Sequence, residues 1–158
     1  MKIEEYLSTL PKSIISGEEI QIPPDTIREI FRFTDLEKND TFYHLGCGDG
    51  TSLAIARQEF DVKNAIGIDN SEKMITAAKK MISEKNISNI KVIEQDVRQA
   101  EFNDADVILC WFMDPEILED LIDKFKKLKS NVRIITIWAP LPGCLPQKVD
   151  FPYIMNKT

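Results

Sequence analysis

Histidine occurs once and cysteine three times in this chain of 158 residues. The cysteines, Cys47, Cys110 and Cys144, lie far apart and form no C-x-x-C pair. With a single histidine beside them they make neither a zinc donor set nor a disulfide framework, so no metal is expected and the thiols fit a reducing, cytoplasmic setting. Long apolar runs are also missing. The run from Val107 to Met113 is far short of the roughly 20 residues a membrane helix requires. The start, Met1-Lys2-Ile3-Glu4-Glu5-Tyr6, has acids where a signal peptide has an apolar core. Positive charge is in deficit too: 20 Lys and Arg face 26 Asp and Glu, a net charge of −6. Nucleic-acid affinity comes mainly from cations that neutralise phosphates, so this balance argues against nucleic acid and suits solubility or a basic partner. No repeat and no low-complexity stretch interrupts the chain, and its length suits a single domain.

Glycine is scarce as well, at six residues, yet three of the six fall within five positions, in Leu45-Gly46-Cys47-Gly48-Asp49-Gly50. The apolar stretch Thr41-Phe42-Tyr43-His44-Leu45 before them reads as a strand, and Thr51 to Arg57 after them reads as a helix. Glycines at such a joint let the chain turn sharply and approach a ligand without Cβ interference. The loop would then stand at a helix N-terminus with free N–H groups. Asp69 closes a second strand in Ala65-Ile66-Gly67-Ile68-Asp69. A carboxylate there can accept both hydroxyls of a ribose, as an acid about twenty residues beyond a glycine loop does in dinucleotide folds. The spacing here is G-x-G-x-G, with Thr51 where the dinucleotide fingerprint continues, which disfavours a nicotinamide site.

Beyond Asp69 the periodicity alternates between helix and strand, as a doubly wound sheet requires. Asn70-Ser71 reads as a cap, and Met74, Ile75, Ala77, Ala78, Met81 and Ile82 as one buried helical face. Ile90 to Gln95 alternates as a strand ending at Asp96-Val97. Ala105 to Trp111 is apolar throughout most of its length, as a central strand buried on both faces is. Asp114-Pro115 then starts a helix with Ile117, Leu118, Leu121, Ile122, Phe125 and Leu128 inward, and lysines at its end to complement the helix dipole. Val132 to Trp138 gives a fifth strand. The first forty residues read as a helical cover, with one short helix around residues 3 to 10 and another from Asp25 to Phe33.

The motif Leu45-Gly46-Cys47-Gly48-Asp49-Gly50 with its distal Asp69 resembles the first two motifs of class I S-adenosylmethionine-dependent methyltransferases, over roughly residues 24 to 140. In length, and in Ile22-Pro23-Pro24-Asp25 ahead of the glycine loop, the chain is similar to the small archaeal protein lysine methyltransferases of the Dot1-like group. The resemblance implies a three-layer, doubly wound, mostly parallel sheet of the Rossmann-like methyltransferase type within a single domain, residues 1–158. Residues 1–40 would be the cover and 41–139 the cofactor-binding core. It implies S-adenosyl-L-methionine as cofactor. His44, Leu45, Gly46, Cys47 and Gly48 would lie beside its methionine part. Asp69, with Asn70 adjacent, would hold the ribose, while Asp96 and Val97 would bracket the adenine. Cys110 at the end of the fourth strand would face the methyl group. Trp111, Phe112 and Asp114 are the substrate-channel candidates, joined by Trp138, and a lysine-bearing or basic protein would be the substrate.

Two departures qualify that pattern. Many members of the family carry an acid where His44 stands, and a largely neutral imidazole is no permanent anion. A strand histidine satisfied within the protein is the alternative. The second departure is the tail, where Pro140, Pro142, Pro146 and Pro152 oppose continuous strands. Shortened C-terminal strands are expected, with residues 140–158 an irregular tail or one edge strand over Val149 to Met155, and a monomer or weak dimer. Other open readings are a small-molecule or other amine methyltransferase and a cofactor-binding module that has lost activity. Asp96 can equally be a strand-end turn residue, Trp111 a core tryptophan and Asp114 an N-cap alone.

Overall fold

A computed structural model describes residues 5, 21–112 and 114–158 of the chain. The expected helix around residues 3 to 10 lies, Glu5 apart, outside the described residues. The elements are α1 (Pro24–Phe33), β1 (Thr41–Leu45), α2 (Thr51–Glu59), β2 (Asn64–Asp69), α3 (Glu72–Glu84), β3 (Ile90–Glu94), a 3₁₀ turn (Val97–Gln99), β4 (Val107–Cys110), α4 (Pro115–Lys126), β5 (Arg133–Ile137), β6 (Leu145–Asp150) and β7 (Tyr153–Lys157). They build one seven-stranded sheet in the order β3-β2-β1-β4-β5-β7-β6. The first five strands are parallel, and β7 and β6 run antiparallel to their neighbours.

Strand order reverses between β1 and β4, and in open α/β sheets the crevice beyond the carboxyl ends at that point receives ligands. Alternation along the strands builds a core on each face. Phe42, Leu109, Ile135 and Ile137 enter one cluster with Ile27, Ile30 and Phe31 of α1. Tyr43, Leu45, Ile108 and Ile134 enter the other with Leu121 and Phe125 of α4. Every residue of β4 is buried, as its apolar run predicts for a central strand.

The second predicted helix is α1, with proline in its first turn where a missing N–H costs nothing. Phe31 meets Phe42 edge-to-face at 4.9 Å. Each such fully buried ring is worth about 1.5–3 kcal/mol by area. The Arg28 guanidinium grips both oxygens of Glu59 at 2.7 Å and so ties α1 to α2. Ser71 caps α3 by accepting from Met74 N, and Asp114 caps α4 by accepting from Glu116 N. The lysines in the last turn of α4 and just beyond it do more than face its dipole: Lys124 Nζ donates to Ala100 O and Lys129 Nζ to Asp106, both at 2.7 Å.

Two expectations are corrected. On α3 only Ile75 and Ala78 are buried, whereas Met74, Met81 and Ile82 are half-buried and Ala77 is exposed. The helix lies over β2 and β3, and β3 is the edge of the sheet, so half its expected apolar face finds no strand beneath it. The tail, in turn, is neither irregular nor a single edge strand. It forms two short strands, β7 inserted beside β5 and β6 outside it. Prolines permit this because Pro140 and Pro142 fall in the connecting loop, Pro152 in the turn, and Pro146 on the outermost strand.

Tertiary contacts hold that hairpin. Buried Asn156 accepts from Leu141 N at 2.8 Å and donates to Ile134 O and Thr136 Oγ1. Lys148 Nζ donates to Phe33 O at the end of α1. The sheet edge at β6 carries Pro146, a register break and Lys148, features that discourage further strand pairing.

Candidate cofactor and substrate site

The glycine turn hangs from the end of β2. Gly46 N and Cys47 N both donate to Ile68 O, at 2.7 and 3.1 Å, and Gly50 N donates to Cys47 O. Gly48 N donates to Asp69 Oδ2 at 2.8 Å. These amides, expected to be free, are spent inside the protein. A pyrophosphate needs open N–H groups at such a loop, so the geometry speaks against a dinucleotide cradle. The side-chain faces of the three glycines are covered by the protein itself, Gly46 by Phe112, Gly48 by Gln21 and Gly50 by Ala78 and Met81. Gly46, Gly48 and Gly50 all have positive φ, between 56° and 81°, which glycine adopts without a Cβ penalty.

Asp69 is the hub. Its Oδ1 accepts from Ser71 N at 2.9 Å while Oδ2 holds Gly48. A carboxylate offers about four lone-pair sites, so two remain for a pair of hydroxyls. Asn70 stands beside it and is exposed.

Cys47 turns its side chain down onto β2. A Cβ on Gly67 would stand 2.6 Å from both Cys47 Sγ and Leu53 Cδ1, so residue 67 must be glycine for the turn to seat. Burial, with the Asp69 charge adding to it, pushes the Cys47 thiol up to about 12. Cys110 is pushed to about 12 by burial as well, and its Sγ donates to Ile135 O within the core. The expectation that Cys110 faces a methyl group is corrected to this extent: its thiol points into the core, because alternation on β4 directs it toward α4. Neither thiol is a nucleophile at neutral pH.

His44 is 6% exposed and shares a 2.6 Å hydrogen bond between Nδ1 and Ser52 Oγ in the first turn of α2. Burial lowers its pKa to about 4, against a smaller upward pull from Asp49. It is therefore a neutral strand histidine satisfied by a neighbour. The Asp96 carboxylate accepts from Arg98 N at 2.9 Å and pairs with the Arg98 guanidinium at 2.7 Å, which holds it below the usual carboxylate range. That is the turn-capping reading. Val97 is buried and supplies the first N–H of its turn, a position without an intrahelical acceptor.

At the carboxyl ends of β4 and β5 an aromatic wall rises. Phe112 Cε1 lies 3.0 Å from where a Cβ on Gly46 would be, so its ring covers the first glycine of the turn. Trp111 and Trp138 stand edge-to-face, centroids 5.5 Å apart and planes at 90°. Trp138 has φ 74°, an outlier for a bulky residue that costs of order 1–3 kcal/mol. Its N–H donates to Pro152 O of the tail hairpin at 2.7 Å, which holds it there. Asp114 is exposed and serves α4 as its cap.

Sequence reasoning missed Gln21, whose carboxamide lies on the bare Cα of Gly48. Nothing local signals that contact. The requirement for glycine at position 67 was equally hidden, since only the path of Cys47 imposes it.

A family model described as the ANTKMT methyltransferase domain matches residues 44–148, from the glycine turn into β6. The chain belongs to this methyltransferase family. Among curated relatives, a protein-lysine N-methyltransferase of Saccharolobus islandicus is 24% identical over 132 residues, 82% of this chain and 81% of its own length. A carboxy-S-adenosyl-L-methionine synthase of Sulfurimonas denitrificans is 31% identical over 112 residues, 68% of this chain but 46% of that protein. In fold the methyltransferase is similar to an RNA methyltransferase from Salinibacter ruber, solved with S-adenosyl-L-homocysteine: TM-score 0.78, 18% identity, 87% of this chain and 91% of that one.

S-adenosyl-L-methionine is the cofactor, and the residues fit it. The spare lone pairs of Asp69 suit the two hydroxyls of the ribose. The closed amides ask for no phosphate.

Proposed function

We propose that this methyltransferase transfers methyl groups to lysine side chains of proteins. One observation carries the reading: aromatic side chains gather at the carboxyl ends of β4 and β5, Phe112 over Gly46 of the turn and Trp111 edge-to-face with Trp138. The protein-lysine N-methyltransferase relative, matched over most of both chains, supports the same substrate class. When bound, S-adenosylmethionine supplies a methyl group on a positively charged sulfur that departs as a neutral thioether.

The protein's task is then positioning and desolvation. Asp69 and Gly48 fix one end of the cofactor, and Phe112 over Gly46 borders the space where the acceptor must approach. Alignment within roughly 3–3.5 Å in a water-poor pocket contributes several kcal/mol to such a displacement. A lysine ammonium with pKa near 10.4 must lose its proton, at about 4–5 kcal/mol at pH 7. Aromatic, apolar walls lower that cost by disfavouring the charged form. Trp111 and Trp138 line the channel for the lysine stem, and Asp114 at its mouth steers the ammonium. Asn70 and Val97 border the adenosine, and the backbone of Leu45 and Cys47 borders the methionine part. The acidic net charge favours a basic protein surface as partner. The enzyme works as a monomer or weak dimer.

The test is to supply cofactor carrying a labelled methyl group together with an extract of the cells that make the protein, then to separate proteins, nucleic acids and small molecules. Label in the protein fraction, on lysine, supports the proposal. Label confined to nucleic acid or small molecules contradicts it, and so does cofactor binding without any transfer.

A further inference from the structure

The amino-acid end of S-adenosylmethionine carries an ammonium and a carboxylate side by side, and the cradle as described has no group assigned to either. His44 stands where an anion is expected but is neutral and bonded to Ser52. Asp49 accepts both Thr51 N at 3.0 Å and Thr51 Oγ1 at 2.7 Å and so serves the first turn of α2. Among the described residues, the group left beside the turn is the side chain of Gln21. A Cβ on Gly48 would stand 2.5 Å from Gln21 Oε1 and 2.8 Å from Gln21 Cδ, so the carboxamide rests directly on the second glycine. Its Nε2 donates to Met74 Sδ at 3.4 Å, and a thioether is a weak acceptor.

We infer that Gln21 holds the amino-acid end of the cofactor, its Oε1 accepting from the ammonium and its Nε2 donating to the carboxylate. A carboxamide presents an acceptor and a donor on one planar group, the complement of a zwitterion, and its weak bond to Met74 is easily exchanged. The same contact explains why the chain entering α1 crosses the glycine turn: Ile22, next in sequence, is buried in the core cluster of α1 and anchors Gln21 in place. The inference rests on the cradle being the S-adenosylmethionine site. It makes Gln21 a binding residue supplied by the cover segment in place of the missing acid.

Calorimetry on the full chain separates the possibilities. The probes are S-adenosylhomocysteine and 5′-methylthioadenosine, which share the adenosine and thioether but differ in the amino-acid group. In Gln21→Leu, of similar size and without polar atoms, affinity for S-adenosylhomocysteine is expected to fall at least tenfold while that for 5′-methylthioadenosine stays within twofold. A thermal midpoint matching wild type shows that the variant is folded, and Gln21→Ala should give the same selectivity. Equal weakening toward both ligands would reduce Gln21 to a structural cover and overturn the inference, as would no weakening toward either. Wild-type protein that binds neither ligand would overturn the cofactor assignment itself, a failure distinct from these.

Discussion

Asp69 Oδ2 accepts the Gly48 N–H at 2.8 Å, so the acid proposed to hold the ribose and the glycine turn are one mechanical unit. Removing the carboxylate should therefore do two things at once. Asp69→Ala is expected to lower S-adenosylhomocysteine affinity about 100-fold and unfolding stability by about 1–3 kcal/mol, through the lost Gly48 and Ser71 bonds. Calorimetry and urea denaturation check the pair. Loss of affinity without loss of stability would mean that the two bonds add nothing to the fold.

His44 gives a pH signature that only it can give, being the one histidine in the sequence. Its pKa is near 6.5 when unfolded and falls to about 4 in the fold. A depressed folded value means that the unfolded chain takes the proton first, so the neutral-histidine contribution is complete above pH 6.5. It is lost as pH falls from 6.5 toward 4, amounting to about 3 kcal/mol. Urea midpoints between pH 7 and 4.5 should fall in wild type and much less in His44→Asn. Parallel curves would place the charge elsewhere.

The packing of the turn on β2 predicts an interaction between two substitutions. Gly67→Ala forces a methyl against Cys47 Sγ and Leu53 Cδ1, each 2.6 Å away before relaxation, and should cost about 1–3 kcal/mol. Cys47→Ala removes one of the two obstacles. The double variant should then lose less than the sum of the singles by at least about 0.5 kcal/mol, which denaturant melts can resolve. Strict additivity would show that the turn seats differently.

For the aromatic wall the expected separation is kinetic. Trp111→Ala and Trp138→Ala should each lower kcat/KM on a lysine substrate about tenfold or more, leaving S-adenosylhomocysteine affinity within twofold. Steady-state assays beside calorimetry decide the matter. Equal losses in both would make the tryptophans part of the cofactor site or of the core.

What the sequence revealed followed the range of the forces involved. The glycine turn, the acid closing β2 and the caps Ser71 and Asp114 are local, set by backbone conformation and orphan amides within a few residues, and all four appear where expected. Hidden features depend on contacts between distant segments. Gln21 reaches Met74 across 53 positions. Arg133 reaches Asp40 across 93 positions at 2.5 Å. The tail hairpin is invisible locally because its prolines oppose strands everywhere except an outer edge and a turn. Amide satisfaction within the glycine turn is hidden for the same reason: Ile68 O and Asp69 come from the next strand.

The central claim is methyl transfer from S-adenosylmethionine to lysine, and the chemical identity of the product tests it most directly. Protein substrates incubated with the enzyme and a cofactor bearing a heavy-isotope methyl group should, after digestion and mass spectrometry, carry that methyl on lysine Nε. The mark should vanish with Asp69→Ala. Isotope recovered on any other residue type, or none recovered while wild type binds S-adenosylhomocysteine, would contradict the account.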